Sequence, residues 1–120
     1  MKRPLMALLL AGAGISGALA ESAASFPGGE EALQAYLTGN IKYPAFAQEN
    51  GIEGTVTVNF VVTDEGKVSE VKVARPLDPD LEAEAVRLIN GMPVWIPATD
   101  ASGKPVPSTV TIPVKFRLKD

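Results

Sequence analysis

The chain has 120 residues, 46% of them apolar, with 11 basic and 14 acidic side chains and a net charge of −3. This length and composition predict one small globular domain with a single core. Because the chain contains no histidine and no cysteine, the commonest general base, most metal-ligand sets and every disulfide are excluded. We therefore expect a protein that is not an enzyme and that needs no metal or cofactor.

The first 20 residues have the pattern of a secretory signal peptide. Lys2 and Arg3 precede an uncharged stretch that ends in Ala18-Leu19-Ala20, an A-x-A cleavage site. A membrane anchor is the alternative, but the uncharged stretch is at the short limit for spanning a bilayer and is diluted by proline and glycine. Cleavage would leave a secreted chain of net charge −5. We expect residues 21–25 to form a short linker and residues 26–120 to form the domain.

The first predicted elements are two helices. Apolar residues recur at helical spacing between positions 33 and 41, after two glutamates that suit a helix N-terminus. Pro44 suits the first position of a second, short helix that ends before Gly51, a left-handed cap. Phe46 and Ala47 are expected to be the inward residues of that helix.

The middle of the chain predicts a hairpin followed by a third helix. Residues 55–62 alternate between apolar and mostly polar side chains, which is typical of a strand with one wet face. Gly66 lies in a short loop and precedes a second strand, Val68 to Arg75. Asp78-Pro79 is a helix start, and Gly91 ends that helix. Caps, turns and solvated helix faces explain the acid pairs, Glu82 and Glu84 among them.

The last segment predicts a long strand at the edge of the sheet. Four outward-facing positions, Thr109, Thr111, Lys115 and Arg117, alternate with an apolar set between Val110 and Leu118. Pro113 lies inside this strand and lacks the N–H that a central strand uses. An open edge can be completed by an extended peptide, which is β-augmentation. The alternatives are that the chain's own residues or a second copy cover it.

The predicted fold class is α+β, with a small antiparallel sheet of about three strands and helices packed on one face. The lone tryptophan, Trp95, has apolar neighbours on both sides and is interpreted as a core residue rather than a partner anchor. Tyr43 either staples the two helices or faces a ligand. Ser102 and Lys104 are the only close pair for a serine nucleophile with a lysine base, and we interpret them as exposed loop residues.

The order and spacing of several short motifs resemble the C-terminal domain of the TonB energy transducers. These motifs span positions 26–118 and are Phe26-Pro27-Gly28-Gly29, Tyr43-Pro44-x-x-Ala47, Gly51-Ile52-Glu53-Gly54, Val56-x-Val58-x-Phe60, Asp64-x-Gly66, Trp95-x-Pro97 and Ile112-Pro113-Val114-x-Phe116.

The resemblance implies a periplasmic domain that grips the N-terminal TonB box of outer-membrane receptors by adding it as a strand, with energy from the ExbB/ExbD complex. The gripping strand would be Val110 to Leu118, and the Tyr43-Pro44 turn would lie near the receptor plug. The resemblance and the edge strand together predict a partner-binding surface of Tyr43, Pro44, Thr109, Thr111, Pro113, Lys115 and Arg117.

Two features of the family transducers have no counterpart in this sequence, a histidine-bearing membrane anchor and a long Pro-rich spacer. The resemblance therefore supports the fold and the peptide-binding mode more than energy transduction itself. The alternative function is an envelope interaction or dimerisation module, in which the same edge strand closes a homodimer.

Overall fold

The computed structural model describes residues 22–118. The expected signal peptide, residues 1–20, lies outside the described residues. Eight elements follow in chain order: α1 (Glu30–Asn40), α2 (Ala45–Glu49), β1 (Gly54–Val62), β2 (Val68–Val73), α3 (Pro79–Asn90), β3 (Ala98–Thr99), β4 (Pro105–Val106) and β5 (Ser108–Phe116).

The two predicted N-terminal helices form. In α1, Leu33 and Leu37 are buried, as their spacing predicts. Helix α2 begins one residue after Pro44, which is its N-cap with extended backbone. Ala47 is fully buried, but Phe46 is 62% exposed, so the expectation that both point inward is wrong for Phe46. A helix of five residues has barely one turn, so only one of two adjacent side chains reaches the core.

The main sheet has three antiparallel strands in the order β2-β1-β5. The apolar residues of β1 at positions 56, 58, 60 and 62 are all buried, and the residues between them are half-buried. Gly66 has a φ of 84° in the hairpin loop, as that turn requires. Its Cβ position would be 2.1 Å from the Trp95 carbonyl oxygen, so close packing against the segment between α3 and β3 also requires glycine.

Helix α3 packs over β1 and β2 and closes the core. The Asp78 carboxylate caps it and accepts hydrogen bonds from the N–H groups of Asp80 and Leu81, each at 3.0 Å. The core joins this helix to α1 and to the inward faces of β1 and β5. Trp95 is 4% exposed and lies edge-on to Phe26 and Phe60, which confirms its interpretation as a core residue.

A second, two-stranded ribbon flanks Ser102 and Lys104, which the sequence predicts only as exposed loop residues. Strands β3 and β4 pair around a turn in which Gly103 has a φ of 79°. The segment expected to be a linker joins this ribbon, because Ser25 exchanges backbone hydrogen bonds with Ile96, and Ser22 with Thr99. Residues 22–25 are thereby fixed beside Trp95.

Candidate functional site: the open edge of the last strand

Strand β5 is an edge strand, as Pro113 predicts. It pairs with β1 in regular register over nine residues, with Pro113 opposite Thr57. The Thr57 carbonyl accepts a hydrogen bond from the Ala74 N–H at 2.8 Å, so the peptide groups of Thr57 point towards β2. In an antiparallel pair, two directly opposite residues either exchange hydrogen bonds or both direct their peptide groups away from each other. The peptide groups of Pro113 therefore point away from β1. The missing N–H of Pro113 is therefore on the open edge.

The same alternation fixes which groups the edge offers. Thr109, Thr111 and Lys115 share the parity of Pro113, so their N–H and C=O groups also point away from β1. Their side chains and that of Pro113 are exposed on the outer face of the sheet, and Arg117 is exposed just beyond the strand. The Thr111 hydroxyl donates to the Asn59 side chain across the sheet at 2.6 Å. The open edge thus presents three N–H donors and four C=O acceptors, and it lacks a donor at Pro113.

The opposite edge of the sheet, β2, is shorter and irregular. It has six residues, and its register with β1 shifts between Asn59 and Val61. Glu70, at this shift, has a φ of 51°, an uncommon conformation for a residue with a side chain. A bulge of this kind bends a strand and ends regular pairing. Only β5 therefore offers a long, regular template among the described residues.

Tyr43 and Arg117 meet in an open depression at the end of β5. Together with Gln48 and Leu118 they line a volume of about 450 Å³. The Tyr43 hydroxyl donates to the Ile52 carbonyl, and its ring lies edge-on to Phe116 with centroids 5.7 Å apart. Burial, and then the nearby charge of Glu53, raise the pKa of Tyr43. Tyr43 thus packs against Phe116 of β5, and it also lines the depression.

A buried carboxylate holds the turn that carries Tyr43. Glu84, on α3, accepts the Lys42 backbone N–H at 2.6 Å and the Arg87 guanidinium at 2.7 Å to each oxygen. Arg87 also donates to the Asn40 carbonyl at 2.9 Å. The Arg87 hydrogen bond and the Lys42 N–H outweigh burial and lower the pKa of Glu84. The solvated position expected for Glu84 is wrong, since it is 9% exposed and clamps α3 to the turn before Tyr43.

A second recess, a groove, runs beside the first half of β5. It has a volume of about 240 Å³ and lies between the strand, the start of α1 and residues 24–26. Its apolar lining includes Phe26, Leu33, Trp95, Val110 and Ile112, and Glu30, Gln34, Thr111 and Pro113 are among the other residues that line it. An apolar recess therefore adjoins the open hydrogen-bonding edge.

Other chemistry has little support in the described part of the chain. No cluster of three acidic residues that could hold a metal ion occurs between residues 22 and 118. Ser102 and Lys104 are exposed on the β3–β4 turn, where the Asp100 carboxylate accepts both of their backbone N–H groups. In the same residues, no helix has the length and apolarity needed to cross a bilayer.

Comparison with known proteins identifies the family. The model of the Gram-negative bacterial TonB protein C-terminal family matches residues 39–118, more than half of the chain. The chain belongs to the TonB C-terminal domain family. The resemblance read from the motifs is therefore confirmed.

Relatives of this TonB C-terminal domain come from Helicobacter pylori. The protein TonB of strain J99 is 29% identical over 89 residues, which cover 73% of this chain but only 30% of that protein. Two NMR solution structures of the H. pylori TonB C-terminal domain have TM-scores of 0.55 and 0.56. They are 26% and 27% identical, and the matches cover 73% and 75% of this chain and 78% and 94% of theirs. The predicted α+β class is confirmed by this likeness.

Six of the seven predicted partner-binding residues fall into two groups. Thr109, Thr111, Pro113 and Lys115 lie along the open edge, while Tyr43 and Arg117 meet at its end. Pro44 caps α2 beside Tyr43. Gln48 and Leu118 complete the depression. Sequence reasoning missed Gln48, and it missed that Trp95 lines the groove. Leu118 lies at the end of the predicted gripping strand, although the alternation assigned it to the inward apolar set; no local signal pointed to Gln48.

Proposed function

We propose that this domain binds an extended segment, similar to a TonB box, of outer-membrane transport receptors by strand addition on β5. The protein would act in the periplasm, in TonB-dependent transmembrane transport, and without enzymatic activity. One observation carries the proposal: β5 is a regular nine-residue edge strand whose outward peptide groups point away from β1. Main-chain pairing gives most of the affinity in this mode of recognition, and side-chain contacts give specificity.

The exposed positive charges at the end of β5 support a bound segment that is acidic. Lys115 and Arg117 are both exposed at the end of β5, and Arg117 lines the depression with Tyr43. In an otherwise acidic chain of net charge −3, these two cations outnumber the nearby Glu53 carboxylate, which accepts the Leu118 N–H, and they favour a partner with carboxylates near that end. Such exposed charges mainly change the association rate and its salt dependence.

The test compares two substitutions at one position of the edge. Lys115→Pro removes the charge and the outward N–H, whereas Lys115→Ala removes the charge alone. One lost ladder hydrogen bond is worth about 1 kcal/mol, or about fivefold in affinity, and the ring adds a steric cost. We therefore expect Lys115→Pro to bind receptor peptides at least about fivefold more weakly than Lys115→Ala. Equal affinities of the two folded variants would overturn strand addition.

The binding experiment uses ¹⁵N-labelled protein recovered from the periplasm after expression of the full chain. Peptides come from the N-terminal ends of the host's own outer-membrane receptors, and amide shifts are followed by NMR. We expect the largest shifts at Thr109, Thr111 and Lys115, with smaller ones near Tyr43. Sedimentation measures mass in parallel, because a stable dimer that occludes β5 and excludes every peptide would favour the dimerisation module instead.

A further inference from the structure

Two Asn-Gly dipeptides occur in the sequence, Asn50-Gly51 and Asn90-Gly91. Both asparagines are exposed, and each lies at the end of a helix: Asn50 is the C-cap of α2, and Asn90 is the last residue of α3. Because glycine has no Cβ, its backbone nitrogen approaches the side chain of the preceding asparagine with little steric hindrance. The two sites are therefore matched in sequence and differ in the part of the fold that holds them.

The chemistry open to such a pair is deamidation. The glycine nitrogen bonds to Cγ of the asparagine, the Cγ–Nδ2 bond breaks, and the proton of the glycine N–H passes through water to the departing nitrogen, which leaves as ammonia. Water then opens the resulting succinimide ring at one of its two carbonyls, which gives aspartate or isoaspartate. The whole reaction consumes one water, releases one ammonia and adds one carboxylate. In isoaspartate the main chain also passes through Cβ and Cγ, so it gains one methylene group.

The end of α3 is held by several contacts. The Gly91 N–H donates to the Arg87 and Leu88 carbonyls at 3.1 and 3.2 Å. The Tyr36 hydroxyl donates to the same Leu88 carbonyl at 2.7 Å. This helix has 12 residues, five of them buried. The Gly91 nitrogen therefore reaches Asn90 only if a well-packed part of the fold opens, and such openings are rare.

The end of α2 is held by fewer contacts. This helix has five residues, of which only Ala47 is buried, and a helix of barely one turn has little stability of its own. Among residues 22–118, the Gly51 N–H has one hydrogen bond, a long one of 3.3 Å to the Gln48 carbonyl. The Asn50 side-chain amide donates to the Phe46 carbonyl at 2.8 Å, but this bond is exposed and lies within the same turn. Unwinding of that one turn frees both the amide and the nitrogen that attacks it.

We propose that Asn50 is a site of spontaneous deamidation in the folded protein, and that the fold protects Asn90. The reactants are the protein's own backbone and side chain and then water, so no enzyme or cofactor takes part. The attack becomes faster as the pH rises, because the glycine nitrogen must lose its proton. The site therefore changes the protein with time, and faster in mildly alkaline surroundings.

The segment that follows Asn50 connects α2 to the end of β5. The Ile52 carbonyl accepts the Tyr43 hydroxyl. The Glu53 carboxylate accepts the Leu118 N–H at 2.6 Å. Isoaspartate at position 50 lengthens the main chain immediately before these contacts and adds a negative charge, so we expect it to displace Ile52 and Glu53. The modification would thereby alter the depression, which Tyr43 and Leu118 line.

The test follows both sites in one sample. Full-chain protein recovered from the periplasm is incubated at mildly alkaline pH, and its protease fragments are analysed by mass spectrometry. We expect the fragment with Asn50 to gain about one mass unit and to separate into an aspartate and an isoaspartate form. The fragment with Asn90 should react at least about tenfold more slowly, since its end of the fold opens less often. In protein unfolded in urea the two rates should become similar, because the dipeptides are identical.

Asn50→Gln is the matched variant, because it keeps the amide but needs a larger ring to react. Amide spectra of ¹⁵N-labelled protein follow the structural consequence. On incubation the unmodified protein should develop a second set of signals for Gly51, Ile52 and Leu118, and Asn50→Gln should not. Freshly prepared Asn50→Asp carries the new charge on a normal main chain, so it should shift the signal of Gly51 but leave that of Leu118 close to its original position.

No peptide enters these measurements, so their outcome is independent of strand addition. Equal rates at the two sites in the folded protein would overturn the selection of Asn50 by the fold, since the dipeptide alone would then decide. Conversion of Asn50 with unmoved signals at Ile52 and Leu118 would overturn its effect on the depression. Conversion of Asn50 in urea but not in the folded protein would show that α2 protects the site, and it would overturn the inference as a whole.

Discussion

Glu84→Gln tests how the fold positions the turn that carries Tyr43. The substitution keeps the size of the side chain and an acceptor oxygen but removes the charge that Arg87 and the Lys42 N–H both contact. A hydrogen bond to a charged group is worth about 1.5–3 kcal/mol. The Arg87 side chain is half-exposed, so water and salt weaken its share. We therefore expect Glu84→Gln to lower the free energy of unfolding by about 1–2 kcal/mol at neutral pH.

The pH dependence gives the sign of this effect. The pKa of Glu84 is lower in the folded protein than in the unfolded chain, because the Arg87 guanidinium and the Lys42 N–H bind the ionised form. The ionised carboxylate therefore stabilises the fold above that unfolded value, and the contribution is lost as the pH falls through the lowered folded pKa. The stability difference between the protein and Glu84→Gln should shrink over the same acidic range.

Thermal unfolding followed by circular dichroism measures both effects. For a domain of this size, 1–2 kcal/mol corresponds to a fall in Tm of about 5–15 °C. Glu49→Gln is the matched control, because Glu49 is exposed on α2, and its Tm should change by less than about 3 °C. An unchanged Tm for Glu84→Gln at neutral pH, or a difference that persists undiminished into acid, would refute the clamp.

Three further predictions concern the N-cap of α3, the close packing at Gly66 and the open edge of β5. Asp78→Ala removes the acceptor for two N–H groups of α3 and should cost about 1 kcal/mol in chemical denaturation, whereas no loss would refute the cap. Gly66→Ala should destabilise far more than Gly103→Ala, because both have positive φ but only Gly66 faces a backbone oxygen; equal losses would show that conformation alone decides. Pro113→Ala restores a donor to the open edge, so peptides should bind about threefold to fivefold more tightly, and unchanged affinity would contradict the assigned direction of its peptide groups.

Local patterns predicted the elements that depend on local physics. The alternation of apolar and polar residues predicted the inward residues of β1 and β5, and Asp78-Pro79 predicted the start of α3. Both signals depend only on residues that are close together in the sequence. Pro113 also predicted a feature of the tertiary structure, the position of β5 at the edge of the sheet, since a missing N–H restricts where a strand can lie in a sheet.

The features that sequence reasoning missed depend on contacts between distant residues. Glu84 looks like a solvated helix residue in sequence, and only its approach to Lys42, 42 positions away, explains its burial. The ribbon of β3 and β4 has two residues per strand, too few to show alternation. The groove is lined by residues from four separate segments of the chain, so no spacing of residues in the sequence predicts it.

The contrast between the two sheet edges explains why strand addition is proposed for only one of them. An exposed strand edge invites indiscriminate pairing, and bulges and prolines are the usual protection. Edge β2 is short and has its bulge at Glu70, which ends a regular ladder. Edge β5 has only Pro113, which removes one donor in nine residues and leaves those of Thr111 and Lys115 on either side. A single gap weakens every pairing by a similar amount, so it selects for partners that gain affinity elsewhere. Under the proposed strand addition, the depression at Tyr43 and the groove at Trp95 are the recesses beside that edge where such contacts would form.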